Sequence, residues 1–119
     1  MRRALKILLY GDVDLNIMDG SAVWLTSLAN VLNKDPNIFI DVLLKSPIKN
    51  KNLISEIEGL QQVNIIETYR VFKDKKFSNG NRINVIEAVD LMEELNNKNH
   101  YHCVIVRGFS IVEEMLKRQ

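Results

Sequence analysis

The chain has 119 residues, of which 46% are hydrophobic and 26% are charged, and its formal net charge is +1. This length suits one domain with one core, and the near-neutral charge does not indicate nucleic acid as a partner. The lone cysteine, Cys103, excludes an intramolecular disulfide and is typical of a reducing cytoplasm, and no apolar stretch reaches the roughly 18 residues that a membrane span needs.

The opening residues, 4–32, predict a strand, a polar loop and an amphipathic helix. Residues 4–10 are nearly all apolar and do not alternate with polar residues, which is typical of a central strand covered on both faces in a parallel sheet. Residues 20–32 place most of their apolar side chains on one half of a helical wheel. We therefore expect Trp24, which lies in that half, to belong to the core.

The polar loop between this strand and this helix, residues 11–19, is the first candidate site. A loop that leaves the carboxyl end of a parallel strand lies at the edge where open α/β sheets bind ligands. Asp19 or Ser21 can accept backbone N–H bonds at the start of the helix. Gly20 between them lets the backbone come close to another group, or take a positive φ.

Three more strand-and-helix units follow. Strands are predicted over residues 38–44, 63–67 and 101–106. Helices are predicted over residues 53–60 and 83–97, and a last one opens at a capping-box pattern formed by Ser110 and Glu113. Residues 68–82 are predicted to form a long polar loop.

Four alternating units predict right-handed crossovers and a parallel sheet. The expected fold class is α/β, a Rossmann-like three-layer α/β/α sandwich. Doubly wound domains usually have five or more strands, so we expect residues 1–119 to be a single domain that is a fragment of a longer protein.

Basic side chains are concentrated in the four loops that follow the predicted strands. Nine of the 16 lysines and arginines lie there: Lys45, Lys49, Lys51, Arg70, Lys73, Lys75, Lys76, Arg82 and Arg107. Because these loops meet at one edge of the sheet, they predict a cleft for an anionic or membrane-surface ligand; the alternative is that the loops are polar simply because water surrounds them. Arg107 directly follows a predicted strand and precedes Gly108, so we expect its side chain to project into the cleft.

The remaining motifs give weaker evidence of a functional site. Asp12 and Asp14 form a D-x-D pattern that can share a divalent cation, but we favour carboxylates that order the loop or bind ligand hydroxyl groups, and we expect no metal. A G-x-G-x-x-G fingerprint and a P-loop are absent, which argues against a dinucleotide dehydrogenase. His100 and His102 are predicted at the opposite, amino edge of the sheet, away from any site, and Cys103 is expected to be a small core residue.

In this order of elements the chain resembles the amino-terminal domain of two-domain GT-B glycosyltransferases, especially the retaining family 4 enzymes (glycosyl transferases group 1). The resemblance rests on the strand at residues 6–10, the loop Asp19-Gly20-Ser21, the helix at 24–32, the strand at 38–44 and the strand at 101–106 that ends in Arg107-Gly108. It implies that Asp19, Gly20, Ser21, Arg107 and Gly108 bind donor or acceptor. The amides of Gly20 and Ser21 are implied to face the donor diphosphate. This chain departs from many members by having one glycine instead of two in the first loop, and Arg107 instead of a histidine.

The resemblance also implies the reaction and the partners. A sugar passes from a nucleotide-sugar to a glycan or lipid-linked acceptor in the synthesis of a bacterial cell-surface glycan, in the cytoplasm or at the inner face of the membrane with peripheral membrane contact. No cofactor, metal or nucleic acid is implied. The nucleotide-sugar is held by the protein's own carboxyl-terminal domain, which this sequence does not contain. We therefore expect the chain alone to be inactive, and its catalytic residues remain unknown.

Two other classes fit part of the sequence. A receiver-like signalling domain has about this length, and Asp12 and Asp14 resemble its acidic pocket. It needs an aspartate at the end of the third strand, however, where Glu67 and Thr68 stand. A non-catalytic α/β nucleotide-binding domain requires only the loops at the carboxyl edge of the predicted sheet.

Overall fold

The computed structural model describes residues 4–119. Its centre is a four-stranded sheet in which every neighbouring pair of strands is parallel, in the order β3-β2-β1-β4. The strands are β1 (Leu5–Gly11), β2 (Ile38–Leu43), β3 (Val63–Ile66) and β4 (Cys103–Arg107). Helices lie on both faces, so the predicted α/β, Rossmann-like sandwich is confirmed.

The helices connect these strands in chain order. They are α1 (Gly20–Leu32), α2 (Thr68–Val71), α3 (Val85–Asn99) and α4 (Phe109–Lys117), and a single 3-10 turn (Ile54–Glu56) lies between β2 and β3. The helix predicted over residues 53–60 is therefore only this turn, because the chain reaches Gly59, which has a positive φ of 89°, before a second turn can form. The loop predicted over residues 68–82 begins with the short α2.

The capping box predicted at Ser110 is wrong, because α4 begins one residue earlier, at Phe109. Its N-cap is Gly108, which provides no side-chain bond. A capping box does exist at the start of α3. There Asn84 accepts the Glu87 amide at 2.8 Å and the Glu87 carboxylate accepts the Asn84 amide at 2.9 Å, which fixes the point where the chain enters this helix.

The position of β1 explains why its residues do not alternate in polarity. Leu8 and Tyr10 pack on the face that α3 and α4 cover. Leu9 packs on the opposite face, against α1 and the 3-10 turn. Since successive strand residues point to opposite faces, a strand buried on both faces must be apolar throughout. The prediction of a central strand is confirmed.

Cys103, by contrast, is exposed, and the prediction that it belongs to the core is wrong. It begins β4, which lies at the edge of the sheet and, among residues 4–119, pairs only with β1. The two histidines do lie at the amino edge as predicted: His102 Nδ1 accepts the Lys6 amide at 3.0 Å, and His100 ends α3 in a left-handed conformation.

The connection from β3 to α3 is fixed at both ends to the chain that leaves β2. The Thr68 hydroxyl donates to the Leu44 carbonyl. Fifteen residues later in the sequence, the buried Ile83 donates its amide to the Lys45 carbonyl at 3.0 Å. These two bonds hold the loops that follow β2 and β3 together at the carboxyl edge of the sheet.

Within residues 4–119, no helix is both long enough and apolar enough to cross a bilayer. The same residues contain no group of three metal-ligating side chains suited to holding an ion.

Candidate ligand site at the carboxyl edge of the sheet

The strand order creates a crevice between the carboxyl ends of β1 and β4. The chain leaves β1 towards α1 on one face and leaves β4 towards α4 on the other. Asp12 donates its amide to the Arg107 carbonyl at 3.0 Å, so the two loops diverge directly after a final shared bond. In open α/β sheets such a switch point is the usual place for a ligand.

Gly108 makes this divergence possible. Its φ is 130°, which L side chains rarely adopt, and a β-carbon at this position would lie 2.9 Å from the β-carbon of Asp12. Only a glycine allows the chain to turn here while passing so close to Asp12. Gly108, which the sequence singled out as a site residue, therefore has a structural role at the floor of the crevice.

Arg107 lies on the α1 side of the crevice, where its guanidinium carbon is 5.1 Å from the centroid of the Trp24 ring. Arg107 is exposed and Trp24 is half-buried, so one face of the indole packs towards the core while the ring also supports the cation. A contact of this kind stabilises by about 0.5–1 kcal/mol when exposed. Arg107 thus projects from the sheet edge as expected, and Trp24 is more than the core residue predicted for it.

The beginning of α1 differs from the expectation in one respect. Asp19 is the N-cap, and its carboxylate accepts the Ala22 amide at 2.9 Å. Gly20 is the first helical residue, has no positive φ, and a β-carbon there would meet nothing within 4 Å. The positive φ that the sequence offered as one role for Gly20 is therefore wrong, and no described residue approaches its backbone closely; Gly108 has both features. Ser21 lies half-buried in the first turn.

The position of Asp19 matters for any anion at this helix. A negative charge already occupies the N-terminus of α1, where the helix dipole would favour a phosphate. The bonds to Asp19 use the amides of Ala22 and Val23, not those of Gly20 and Ser21.

Because Gly20 is one turn before Trp24, the start of α1 and Arg107 face the same crevice.

Asp12 and Lys45 form an ion pair that links the loops after β1 and β2. The Lys45 ammonium nitrogen lies 2.8 Å from Asp12 Oδ1, and the two side chains are only 16% and 22% exposed. The carboxylate of Asp12 thus orders the edge of the sheet, as favoured from the sequence.

Asn16 is a second link between these two loops, and no pattern in the sequence indicated this role. Its side-chain amide donates to Asp14 Oδ1 and to the Pro47 carbonyl, both at 2.8 Å. Its side-chain oxygen accepts the amides of Lys49 at 2.6 Å and Asn50 at 2.8 Å. Every donor and acceptor of the side chain is therefore used, and the loop after β1 is fixed to the loop after β2.

Asp14 belongs to the same network. Burial would raise the pKa of its carboxyl, but the backbone and side chain of Asn16, then the Ser46 hydroxyl and the charge of Arg82, hold that pKa below its ordinary value. The carboxylate is therefore ionised at neutral pH, and like Asp12 it orders its loop.

The structure thus brings Arg107, Gly108 and the start of α1 to one crevice. No protein-family model, curated protein or solved structure matches the chain. The fold and the site together define a Rossmann-like α/β domain with a polar crevice at its topological switch point.

Proposed function

We propose that the chain is the acceptor-side domain of a GT-B glycosyltransferase, an enzyme that transfers a sugar from a nucleotide-sugar to a glycan or lipid-linked acceptor. The proposal extends to cell-surface glycan synthesis at the cytoplasmic face of a membrane. Within it, Arg107 binds negative charge on the donor or the acceptor at the β1–β4 crevice. Asp19, Gly20 and Ser21, at the start of α1, line the crevice on the same side as Arg107.

The observation that carries this proposal is the position of Arg107. The side chain of an exposed arginine usually samples many rotamers, and fixing its guanidinium in one place costs conformational entropy. Here the Trp24 ring holds the guanidinium at the switch point before any ligand arrives. Such preorganisation is what a site for a diphosphate or another anionic group requires.

The strand order bears on the alternatives. Receiver-like domains place β1 between β2 and β3, in the order 2-1-3-4-5, whereas β1 here lies between β2 and β4, as in dinucleotide-binding sheets. This topology argues against the receiver-like alternative. A non-catalytic nucleotide-binding domain uses the same crevice and remains the second candidate.

The test is a transfer assay with the polypeptide that contains this chain in its source cell, purified with an antibody raised against the chain. Labelled nucleotide-sugars are supplied together with a glycolipid extract of the same cells, and incorporation of the label is measured. Donor-dependent transfer supports the proposal. Nucleotide-sugar binding without any transfer would support the non-catalytic alternative instead.

Arg107→Ala in the same polypeptide should lower turnover by about tenfold or more, since a lost charge-assisted contact is worth about 1.5–3 kcal/mol. The matched control is Arg70→Ala. Arg70 is also exposed and also lies over an aromatic ring, that of Tyr69 at 5.9 Å, but it follows β3, two strands away from β1. Equal activity of the two variants would remove Arg107 from the site.

A further inference from the structure

A second cleft lies beside the crevice, between the loops that follow β1 and β2 and the chain that precedes α3. Its volume is about 450 Å³, and polar side chains line it: Asp14, Asn16, Ser46, Lys49, Asn79 and Arg82. None of the residues assigned to the β1–β4 crevice belongs to it. A cleft of this size falls within the range of small-molecule sites, about 300–1,000 Å³.

The walls of this cleft are fixed by hydrogen bonds already in place. On one side Asn16 joins the loop after β1 to Pro47 and Lys49. On the other side Arg82 donates its amide to the Asn79 carbonyl at 3.3 Å, and the next residue, Ile83, is buried and bonded to Lys45. A ligand would therefore meet a preformed surface and would not have to order the loops.

The charges of the cleft favour an anion. Arg82 and Lys49 supply two cations, and neither forms an ion pair with a carboxylate among residues 4–119. The one carboxylate, Asp14, already accepts two hydrogen bonds from Asn16 through Oδ1. An arginine with open donors is well suited to the oxygens of a phosphate group.

Two hydroxyl groups next to the cleft are buried without a hydrogen-bond partner. Tyr10 is fully buried, and its hydroxyl lies within electrostatic reach of Asp12 and Arg82. Ser46 Oγ is buried beside Asp14 and helps to keep that carboxylate ionised, although the contact lacks the geometry of a normal hydrogen bond. A buried hydroxyl that bonds to nothing costs free energy, and of the two groups Ser46 lines the cleft, so its hydroxyl is the donor available to a ligand oxygen.

From these observations we propose that the cleft binds a sugar phosphate. The phosphate group contacts Arg82 and Lys49, and the sugar hydroxyl groups contact Asp14, Ser46 and Asn79. An ionised carboxylate beside amide and hydroxyl donors provides the mixture of acceptors and donors that a polyhydroxyl compound needs. Binding at this cleft does not require the transfer reaction proposed for the crevice.

The test is a titration of the ¹⁵N-labelled chain, followed by amide chemical shifts, with three separate probes: glucose 1-phosphate, glucose and inorganic phosphate. Saturable shifts at Asn16, Ser46 and Asn79–Arg82, with glucose 1-phosphate binding at least tenfold more tightly than either other probe, support the site. Equal affinity for inorganic phosphate would overturn the sugar part of the proposal. Absence of saturation, or shifts confined to residues 19–21 and 107–108, would overturn the site itself.

Arg82→Gln should weaken glucose 1-phosphate binding by about tenfold or more, because two or more charge-assisted hydrogen bonds to phosphate are lost. Its matched control, Arg70→Gln, changes another exposed arginine of the same connection that lies outside the cleft and should leave affinity unchanged. Ser46→Ala removes a hydroxyl that is proposed to contact the sugar, so the affinity of this variant for glucose 1-phosphate tests that contact independently of the phosphate. An Arg82→Gln protein with a native-like spectrum and unaltered affinity would contradict the proposal.

Discussion

Gly108 and Asp12 approach one another so closely that a β-carbon on Gly108 would lie 2.9 Å from the β-carbon of Asp12. The two residues follow neighbouring strands, at the point where the chain leaves β1 and β4 towards opposite faces of the sheet. The width of the β1–β4 crevice at its floor is therefore set by the absence of a side chain at Gly108.

Gly108→Ala should lower the free energy of unfolding by about 1–3 kcal/mol, because alanine is strained at a φ of 130° and its methyl group meets Asp12. Equilibrium urea denaturation measures the change. Gly20→Ala is the control, since a β-carbon at Gly20 meets nothing and alanine favours a helix; it should be neutral or stabilise by up to about 1 kcal/mol. A Gly108→Ala protein as stable as the wild type would contradict the role given to this glycine.

Lys45→Met should destabilise the fold by about 1–3 kcal/mol, because it leaves the largely buried carboxylate of Asp12 without its cation. Lys51→Met removes the same charge from an exposed pair, in which the Lys51 and Glu58 side chains are 69% and 53% exposed. That control should change stability by less than about 1 kcal/mol. Similar urea midpoints for the two variants would show that the burial of the Asp12–Lys45 pair does not increase its contribution to stability.

Asp14 should make stability depend on pH in the acid range. Its pKa is below 3.8 in the folded chain, so the unfolded state binds the proton more readily. The stabilisation is fully present above the unfolded value and is lost as pH falls through the folded value. Asp14→Asn should therefore flatten the urea midpoint between about pH 5 and pH 3 relative to the wild type. Parallel profiles for the two proteins would mean that Asn16 does not favour the ionised form.

Tyr10→Phe should raise the free energy of unfolding by about 1 kcal/mol, because the buried hydroxyl that it removes has no partner. Burial, and then the charge of Asp12, raise the pKa of Tyr10 well above 10.0, with Arg82 opposing them. The unfolded tyrosine therefore ionises first, and the wild type should lose stability above about pH 10. The phenylalanine variant should lose less over that range. If the variant is instead less stable at neutral pH, the hydroxyl has a bonding partner that compensates its burial.

The sequence was sufficient for properties that depend on local pattern. The run of apolar residues in β1 indicated a strand buried on both faces, and the helical spacing after Gly20 placed α1 at its observed bounds, Gly20–Leu32. Alternation of strands and helices then predicted the parallel sheet. Each of these properties follows from residues close together in the chain.

Properties that depend on distant residues were not predicted. The exposure of Cys103 follows from the edge position of β4, which no local pattern encodes. The role of Asn16 depends on partners at Pro47, Lys49 and Asn50, more than 30 residues away. Likewise, Arg107 was expected at the crevice, but its contact with Trp24 depends on a residue 83 positions earlier in the chain, which the fold brings to the end of β4.

The anchoring of Thr68 and Ile83 to consecutive carbonyls, those of Leu44 and Lys45, has a consequence for chain length. The segment between the two anchors forms a closed loop. Its two ends are held by hydrogen bonds to the residues directly after β2. Closing such a loop costs entropy that rises only with the logarithm of its length, roughly 0.6 kcal/mol for a doubling. Insertions near Lys73–Lys76 should therefore leave the sheet, the β1–β4 crevice and the second cleft in place. Evolution can lengthen the protein there at little thermodynamic cost.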